Sequence, residues 1–207
     1  MRGIEDFRGS CRVLLGDAAG RRYLDDVLDM GLREALGVFR SFCPRKESMM
    51  MSVRSRKGIS LVLSGMLDPG TEILTIRDGD GVWLIYGEYR TDTEIMINCY
   101  GTGQRIPQPG ERLQLQVSPP HRIKGLDDGT VTTVPESQSL ILCKGAAGYA
   151  MRMRARSVTE VFGKRPEDRE ALMQQADQMI NEFMAELGNF ARLESCRRLP
   201  WSKGKYY

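Results

Sequence analysis

Four segments of the chain repeat apolar residues at every third or fourth position, the spacing that places them on one face of a helix. The last segment has the strongest start signal, because Pro166 is followed by Glu167 and Asp168, and proline and acids favour the first turn of a helix. The sequence therefore predicts two amphipathic helices near the start of the chain and two near its end. These predicted helices are residues 4–15, 24–42, 134–162 and 166–190.

The third predicted helix has small residues at its centre. Each glycine inside a helix costs about 1 kcal/mol relative to alanine, so we expect a compensating close approach of neighbouring helices. Its apolar face includes Leu140 and Cys143. The period-two alternation of Met151–Arg156 leaves a strand open as an alternative, although the apolar run is longer than a typical strand. The predicted helix-packing residues are Gly145, Ala146, Ala147, Gly148 and Ala150.

Short segments between the two helix pairs alternate polar and apolar residues and are separated by turns, which is typical of an antiparallel sheet. Residues 45–57 interrupt this pattern with basic side chains and the run Met49–Met51. We interpret residues 45–57 as an irregular linker, and a flexible methionine contact surface is the alternative. The predicted strands are residues 59–63, 72–76, 82–89, 94–100 and 112–117.

Together these elements predict an α+β protein in which a small antiparallel β-sheet or open barrel is inserted into a helical domain. Residues 1–44 and 134–196 form the helical domain, which we expect to resemble a four-helix bundle. Residues 58–118 form the inserted β domain. We expect edge strands of this insert to contact a neighbouring subunit, and a solvated appendage is the alternative.

The end of the chain, residues 197–207, is predicted to be a C-terminal arm. Pro200 prevents the last helix from continuing, and the segment has too few apolar groups to order itself in water. Aromatic and arginine side chains are frequent anchors of protein interfaces, so we expect the arm to dock on another protein. Packing on its own helical domain, or contact with DNA, is the alternative. The predicted docking residues are Arg197, Arg198, Trp201, Lys203, Lys205, Tyr206 and Tyr207.

Composition bounds the class of protein. Of the 207 residues, 41% are hydrophobic and 28% are charged, and the net charge is +3. These values are ordinary for a soluble globular protein, and the charge alone does not indicate a nucleic-acid-binding protein. The five cysteines are widely spaced without a Cys-x-x-Cys motif, which favours reduced thiols over a disulfide framework or zinc site. No apolar run approaches the ~20 residues that span a membrane, so we expect no membrane partner.

Residue patterns suited to catalysis are sparse. His121 is the only histidine, so a catalytic dyad or triad that pairs a nucleophile with histidine would have to use it. A structural or interface role is favoured for this loop residue. Asp78 and Asp80 begin like a calcium loop, but Val82 at the fifth position breaks the motif, so we predict a hairpin turn. We expect a protein that is not an enzyme and that has no cofactor and no metal site.

Three arginines alternate near the end of the third predicted helix: Arg152, Arg154 and Arg156. Contact with the phosphate backbone of DNA is one interpretation of such a cluster. In a helix these residues fan around more than one face, which favours solvated arginines or contacts between subunits. Both interpretations stay open.

The order of helices and strands is accompanied by short turn and packing motifs. They are Leu15–Asp17, Tyr23–Asp26, Leu113–Ile123, Thr132–Glu136 and Gly145–Ala150. In this order the chain resembles the head–tail adaptor, or connector, proteins of tailed bacteriophages, in the versions that have a β domain between the helices. The resemblance covers most of residues 4–195 as a pattern.

The resemblance implies a structural subunit of a homo-oligomeric ring, typically a dodecamer, that docks under the portal protein. DNA would pass through the channel of the ring, and a tail or neck protein would bind on the other side. The location implied is the neck of the virion, after assembly in the bacterial host cytoplasm, and no catalytic residue is implied. Two other function classes stay open: a small-ligand-binding or enzymatic β domain with helical decoration, and a DNA-binding regulator.

Overall fold

The described part of the chain folds as a mixed α+β protein with four α-helices and a six-stranded antiparallel sheet, which confirms the predicted α+β class. The computed structural model describes residues 2–65, 67–91, 94–100, 105–157 and 166–198. The helices are α1 (Ile4–Leu14), α2 (Asp25–Phe42), α3 (Ser139–Ser157) and α4 (Pro166–Arg198). The strands are β1 (Glu47–Lys57), β2 (Ser60–Leu63), β3 (Glu72–Arg77), β4 (Tyr86–Arg90), β5 (Ile95–Cys99) and β6 (Arg112–Ser118).

Contacts within the chain divide it into two compact units. The helical unit combines Met1–Cys43 with the described part of His121–Tyr207, and the β unit is Pro44–Pro120. The β unit therefore begins earlier than the predicted residue 58. The loop before residue 134 belongs mostly to the helical unit.

Helix α3 lies at the centre of the helical unit and contacts α1, α2 and α4. A Cβ at Gly31 of α2 would lie 2.4 Å from the carbonyl oxygen of Ala146 in α3. On the other side of α3, a Cβ at Gly145 would lie 2.7 Å from the ring of Phe183 in α4. Both separations are shorter than any ordinary van der Waals contact, so the missing side chains of these glycines allow the helices to approach this closely.

The turn between α1 and α2 is fixed by its own side chains. Gly16 ends α1 with a left-handed φ of +61°, a conformation that glycine adopts without strain. The carboxylate of Asp17 then accepts hydrogen bonds from the backbone N–H groups of Arg21, Arg22 and Tyr23 at 2.9–3.0 Å. These bonds satisfy backbone donors that would otherwise be left unpaired between the helices.

The prediction of a linker over residues 45–57 is wrong, because Glu47–Lys57 forms the longest strand of the sheet. The first half of β1 pairs with β6 and the second half pairs with β2. The register shifts between Val53 and Ser55, and such a β-bulge bends a strand. The bend lets one strand belong to both halves of a curled sheet, whose core includes Met51 and Val53.

The strand order is β3-β6-β1-β2-β5-β4, so β3 and β4 are the outermost strands. The predicted strand 82–89 is divided between them. The N–H of Leu84 donates to the carbonyl of Ile76 in β3 at 2.9 Å, whereas Tyr86–Arg90 pairs with β5. The same stretch of chain therefore links the two edges of the curled sheet.

The predicted helix over residues 134–162 also needs correction. A short 3₁₀ turn, Glu136–Gln138, precedes α3, and Leu140 in the first turn of α3 is 63% exposed instead of buried. Met151–Arg156 is helical, which excludes the strand alternative for these residues. Residues 158–162 lie outside the described part of the chain.

Candidate interaction surfaces

The outer side of strands β2, β5 and β4 presents apolar side chains. Tyr89 lies opposite Met96, and Met96 lies opposite Val62. Ile85 accepts a backbone hydrogen bond from Tyr100 at 2.8 Å, so these two residues extend the same patch. Ile85, Tyr89 and Tyr100 are 66%, 58% and 49% exposed. We name this surface the aromatic face, and it consists of Val62, Ile85, Tyr89, Met96 and Tyr100.

Gly87 shapes the aromatic face at the edge strand β4. A Cβ at Gly87 would lie 2.8 Å from the ring of Tyr100, so the absence of a side chain lets the ring lie against the strand. Exposed aromatic side chains beside a sheet edge suit a protein partner, because they offer apolar contact area next to backbone groups that can pair. The aromatic face is therefore a candidate protein interface.

The outer side of the other half of the sheet, made by β3, β6 and β1, is polar. One row across it places Thr75 opposite Gln116 and Gln116 opposite Ser48. The next row places Arg77 opposite Gln114 and Gln114 opposite Met50. Together with Trp83, these side chains line a shallow depression. We name this surface the polar face, and its lining residues are Ser48, Thr75, Arg77, Trp83, Gln114 and Gln116.

Sequence reasoning missed the polar face because β1 was interpreted as a linker. The signal was present as an alternation, in which Ser48, Met50 and Ser52 point outward while Met51 and Val53 point inward. Methionine at both outward and inward positions hides this period of two, since an apolar residue on each side removes the polar–apolar contrast. Pairing with β6 and β2 is what reveals it.

His121 is held in place by contacts within the helical unit. Its Nε2–H donates to the carbonyl oxygen of Cys43 at 2.8 Å, and its Nδ1 accepts from the hydroxyl of Thr133 at 3.3 Å. Its ring also meets the ring of Phe39 edge-on, with centroids 5.0 Å apart. These contacts fasten the loop after the β unit to the end of α2.

Asp78 and Asp127 both lie in turns. Asp78 accepts backbone hydrogen bonds from Asp80 and Val82 at 3.0 and 2.8 Å, which closes the predicted hairpin turn. Asp127 has a left-handed φ of 48° and accepts two close hydrogen bonds from Arg33, which lower the pKa of the Asp127 carboxyl. Within the described ranges, no three histidine, cysteine, aspartate or glutamate side chains are placed to hold a metal ion.

The three arginines of α3 point to different parts of the helical unit. Arg152 donates to Asp177 of α4 at 2.6 Å, and the guanidinium of Arg154 lies 4.9 Å from the ring centroid of Tyr23. Arg156 is exposed near the end of the helix. The arginines therefore do not form one stripe along α3, and Arg152 and Arg154 contact other elements of the same chain.

Lys144 also connects α3 to α4. Its ammonium group donates to Glu186 at 2.6 Å and lies 3.3 Å from Glu182. The hydrogen bond to Glu186 is the main reason that the pKa of Lys144 is raised. The small residues Gly145, Ala146, Ala147, Gly148 and Ala150 are buried beside Lys144, so they pack helices and offer no surface.

The helical unit exposes apolar side chains of its own. Val13 at the end of α1 and Leu24 before α2 are 72% and 69% exposed, and Met30 of α2 is 50% exposed. Leu140 adds a further exposed position at the start of α3. The chain thus has exposed apolar residues in both of its units.

Of the predicted C-terminal arm, Arg197 and Arg198 form the last residues of α4. Their side chains and residues 199–207, including Trp201, Lys203, Lys205, Tyr206 and Tyr207, lie outside the part of the chain that the structure describes. Among the described helices, none is both long and apolar enough to cross a membrane. In comparisons with known proteins, no family model matches this chain and no curated protein matches it significantly.

Proposed function

We propose that this chain is the subunit of a head–tail adaptor ring in a tailed bacteriophage. In this proposal the ring sits under the portal protein in the neck of the virion, extends the DNA channel and binds a tail or neck protein. The proposal rests on the resemblance in element order and on one structural observation, the exposed aromatic face. The role is structural, without a cofactor, and assembly takes place in the host cytoplasm.

A ring closes when one surface of each copy binds a different surface of the next copy. The aromatic face supplies one apolar surface, on the β unit. Val13, Leu24, Met30 and Leu140 supply a second set of exposed apolar residues, on the helical unit. Exposed apolar residues on both units suit a head-to-tail contact between copies better than a two-fold dimer, which would use a single surface twice.

The helical unit is the body of the proposed subunit. We propose that its four helices act as one bundle-like unit, with α3 as the central member. The support for this arrangement is that α3 contacts each of the other helices and that its glycines allow close approach on two sides. A body of this kind keeps its shape while the β unit contacts the neighbour.

The test is the mass of the purified protein, measured by light scattering alone and with portal rings, followed by electron microscopy. Wild-type protein is expected to form rings, and Tyr89→Asp is expected to prevent them, because a carboxylate would be buried without a partner in the contact. Met50→Asp is the matched control, since Met50 is 57% exposed on the polar face and its substitution should leave assembly intact. Wild-type protein that stays monomeric at high concentration with portal would overturn the proposal, and so would unchanged assembly of Tyr89→Asp.

A second experiment concerns the C-terminal arm. A chain truncated after Leu199 is expected to fold and to assemble but to lose binding to portal rings, because the aromatic and basic residues beyond Leu199 are the proposed anchors. Portal binding is measured by co-sedimentation of rings with the truncated protein. Unchanged affinity of the truncated chain would remove the arm from the proposed portal contact.

A further inference from the structure

The polar face combines groups that rarely lie together on the outside of a small sheet. Gln114 and Gln116 stand two positions apart on β6, about 6.8 Å along the strand. Each amide offers both donors and acceptors. Trp83 lies beside them, is 51% exposed, and has the guanidinium of Arg77 at 3.7 Å from its ring centroid. The surface therefore offers an aromatic ring next to a row of hydrogen-bonding amides.

The three neighbouring rows of the polar face that contain Gln116, Gln114 and Arg112 carry positive charge only. We call these the central rows. Arg77 lies opposite Gln114, and Arg112 lies two residues before Gln114 on the same strand, opposite Ser52. These rows contain two cations and no carboxylate. The nearest acids lie at the ends of these rows: Glu72 at the start of β3 opposite Ser118, Asp78 directly after Arg77, and Glu111 directly before Arg112, where it is ion-paired with Arg105. The central rows therefore favour an anionic ligand over a neutral sugar.

We propose that the polar face binds single-stranded nucleic acid, with an unpaired base stacked on the side of the Trp83 ring away from Arg77 and phosphates held by Arg77 and Arg112. Single-strand-binding proteins combine positive charge along the backbone with aromatic rings on which bases stack. Gln114 lies next to both cations, opposite Arg77 and two residues after Arg112, and the amides of Gln114 and Gln116 would face the base edges. Stacking on Trp83 requires a base that is free of its duplex partner, so double-stranded DNA is excluded as the ligand. This inference does not depend on the proposed ring.

The experiment measures the fluorescence anisotropy of labelled oligodeoxythymidine of about 12 nucleotides, within the 4–16 nucleotides that small barrel folds cover, titrated with the full chain. Trp83→Ala is expected to weaken binding roughly 5- to 150-fold, which corresponds to the ~1–3 kcal/mol of stacking one base on an aromatic side chain. The logarithm of the affinity should fall against the logarithm of salt concentration with a slope of about −1.4, since each of the two phosphate contacts contributes about −0.7.

Gln114→Glu is a second variant. It replaces one exposed amide by a carboxylate and so adds a negative charge beside Arg77 and Arg112. It is expected to weaken binding, while Gln108→Glu, the same change in an exposed loop of the β unit, leaves it unchanged. Absence of binding, equal affinity for a duplex of the same length, an affinity independent of salt, or wild-type affinity in Trp83→Ala and Gln114→Glu would each overturn the proposal.

Discussion

The imidazole Nε2 of His121 lies 2.8 Å from the carbonyl oxygen of Cys43, so the residues that flank the β unit are hydrogen-bonded to each other. Cys43 is the last residue of the first helical segment and His121 the first residue of the second. The two segments of the helical unit are thus joined by a hydrogen bond at the residues between which the β unit is inserted. This geometry makes the β unit removable without stretching the helical core.

Replacement of residues 44–120 by a linker of about four residues, a usual length for a loop between helices, is expected to give a folded helical unit. Circular dichroism and urea denaturation should show a helical protein that unfolds cooperatively, and under the proposed function this protein no longer forms rings. Replacement of residues 58–118 is the matched control. It leaves β1 without β2 and β6, so Met51 and Val53 lose their cover and aggregation is expected. Failure of the 44–120 replacement to fold would contradict the independence of the helical unit.

Gly31→Ala is expected to destabilise the protein by about 1–3 kcal/mol, the usual cost of extra volume in a packed core. Its new Cβ would lie 2.4 Å from the Ala146 carbonyl oxygen, a backbone atom that moves only with α3. Gly37→Ala in the same helix is the control, because nothing lies within 4 Å of its Cβ. This control should be more stable than wild type by about 0.5–1 kcal/mol, since alanine favours helix over glycine. Urea denaturation measures both values, and equal stability of the two variants would contradict the close approach of α2 and α3.

Ala147→Leu and Gly148→Leu are each expected to lower the free energy of unfolding by about 1–3 kcal/mol through overpacking. Ala147 is fully buried, and a Cβ at Gly148 would already lie 2.9 Å from Ile180 and 3.2 Å from Met179. Gly188→Ala on α4 is the control, because nothing lies within 4 Å of its Cβ. The measurement is the melting temperature of the three variants. If both leucine variants melted at the wild-type temperature, α3 would not be tightly packed between its neighbours.

Asp17→Asn is expected to destabilise the protein and to reduce the loss of stability in acid. Burial opposes the charge of Asp17, but hydrogen bonds from the N–H groups of Arg22, Tyr23 and Arg21 outweigh it and lower the pKa of its carboxyl. The unfolded chain therefore binds more protons than the folded chain between the lowered pKa and the unfolded value of about 3.9. The stabilisation is present above that value and is lost as the pH falls through the folded pKa.

The measurement is the melting temperature of wild type and Asp17→Asn from neutral pH to strong acid. The difference between the two proteins should be largest near neutral pH and should shrink as the pH falls below about 3.9. A constant difference in melting temperature across this range would mean that the charge of Asp17 adds no stability beyond that of a neutral hydrogen-bond acceptor.

The sequence by itself determined the elements whose pattern is local. Leu28, Leu32 and Phe39 repeat at the helical spacing that predicts the helix over residues 24–42, and all three side chains are fully buried in α2. The start of α4 at Pro166 and the end of α1 at Gly16 follow from the conformations that proline and glycine favour. Strands β2, β3, β5 and β6 lie within one or two residues of their predicted bounds, because one side of each is apolar along its length.

Only the tertiary structure decided the role of residues 47–57 and 82–86. A strand is stabilised by its partners, and β1 obtains these from β6 and from β2, which are far from each other in the sequence. The outward-facing Met50 interrupts the polar–apolar alternation of β1, so the local pattern was too weak to predict this pairing. The aromatic face and the polar face also depend on strand pairing. Only pairing makes Tyr89 a neighbour of Met96, and Arg77 a neighbour of Gln114. Surfaces assembled from distant segments therefore depend on register, which a single sequence does not specify.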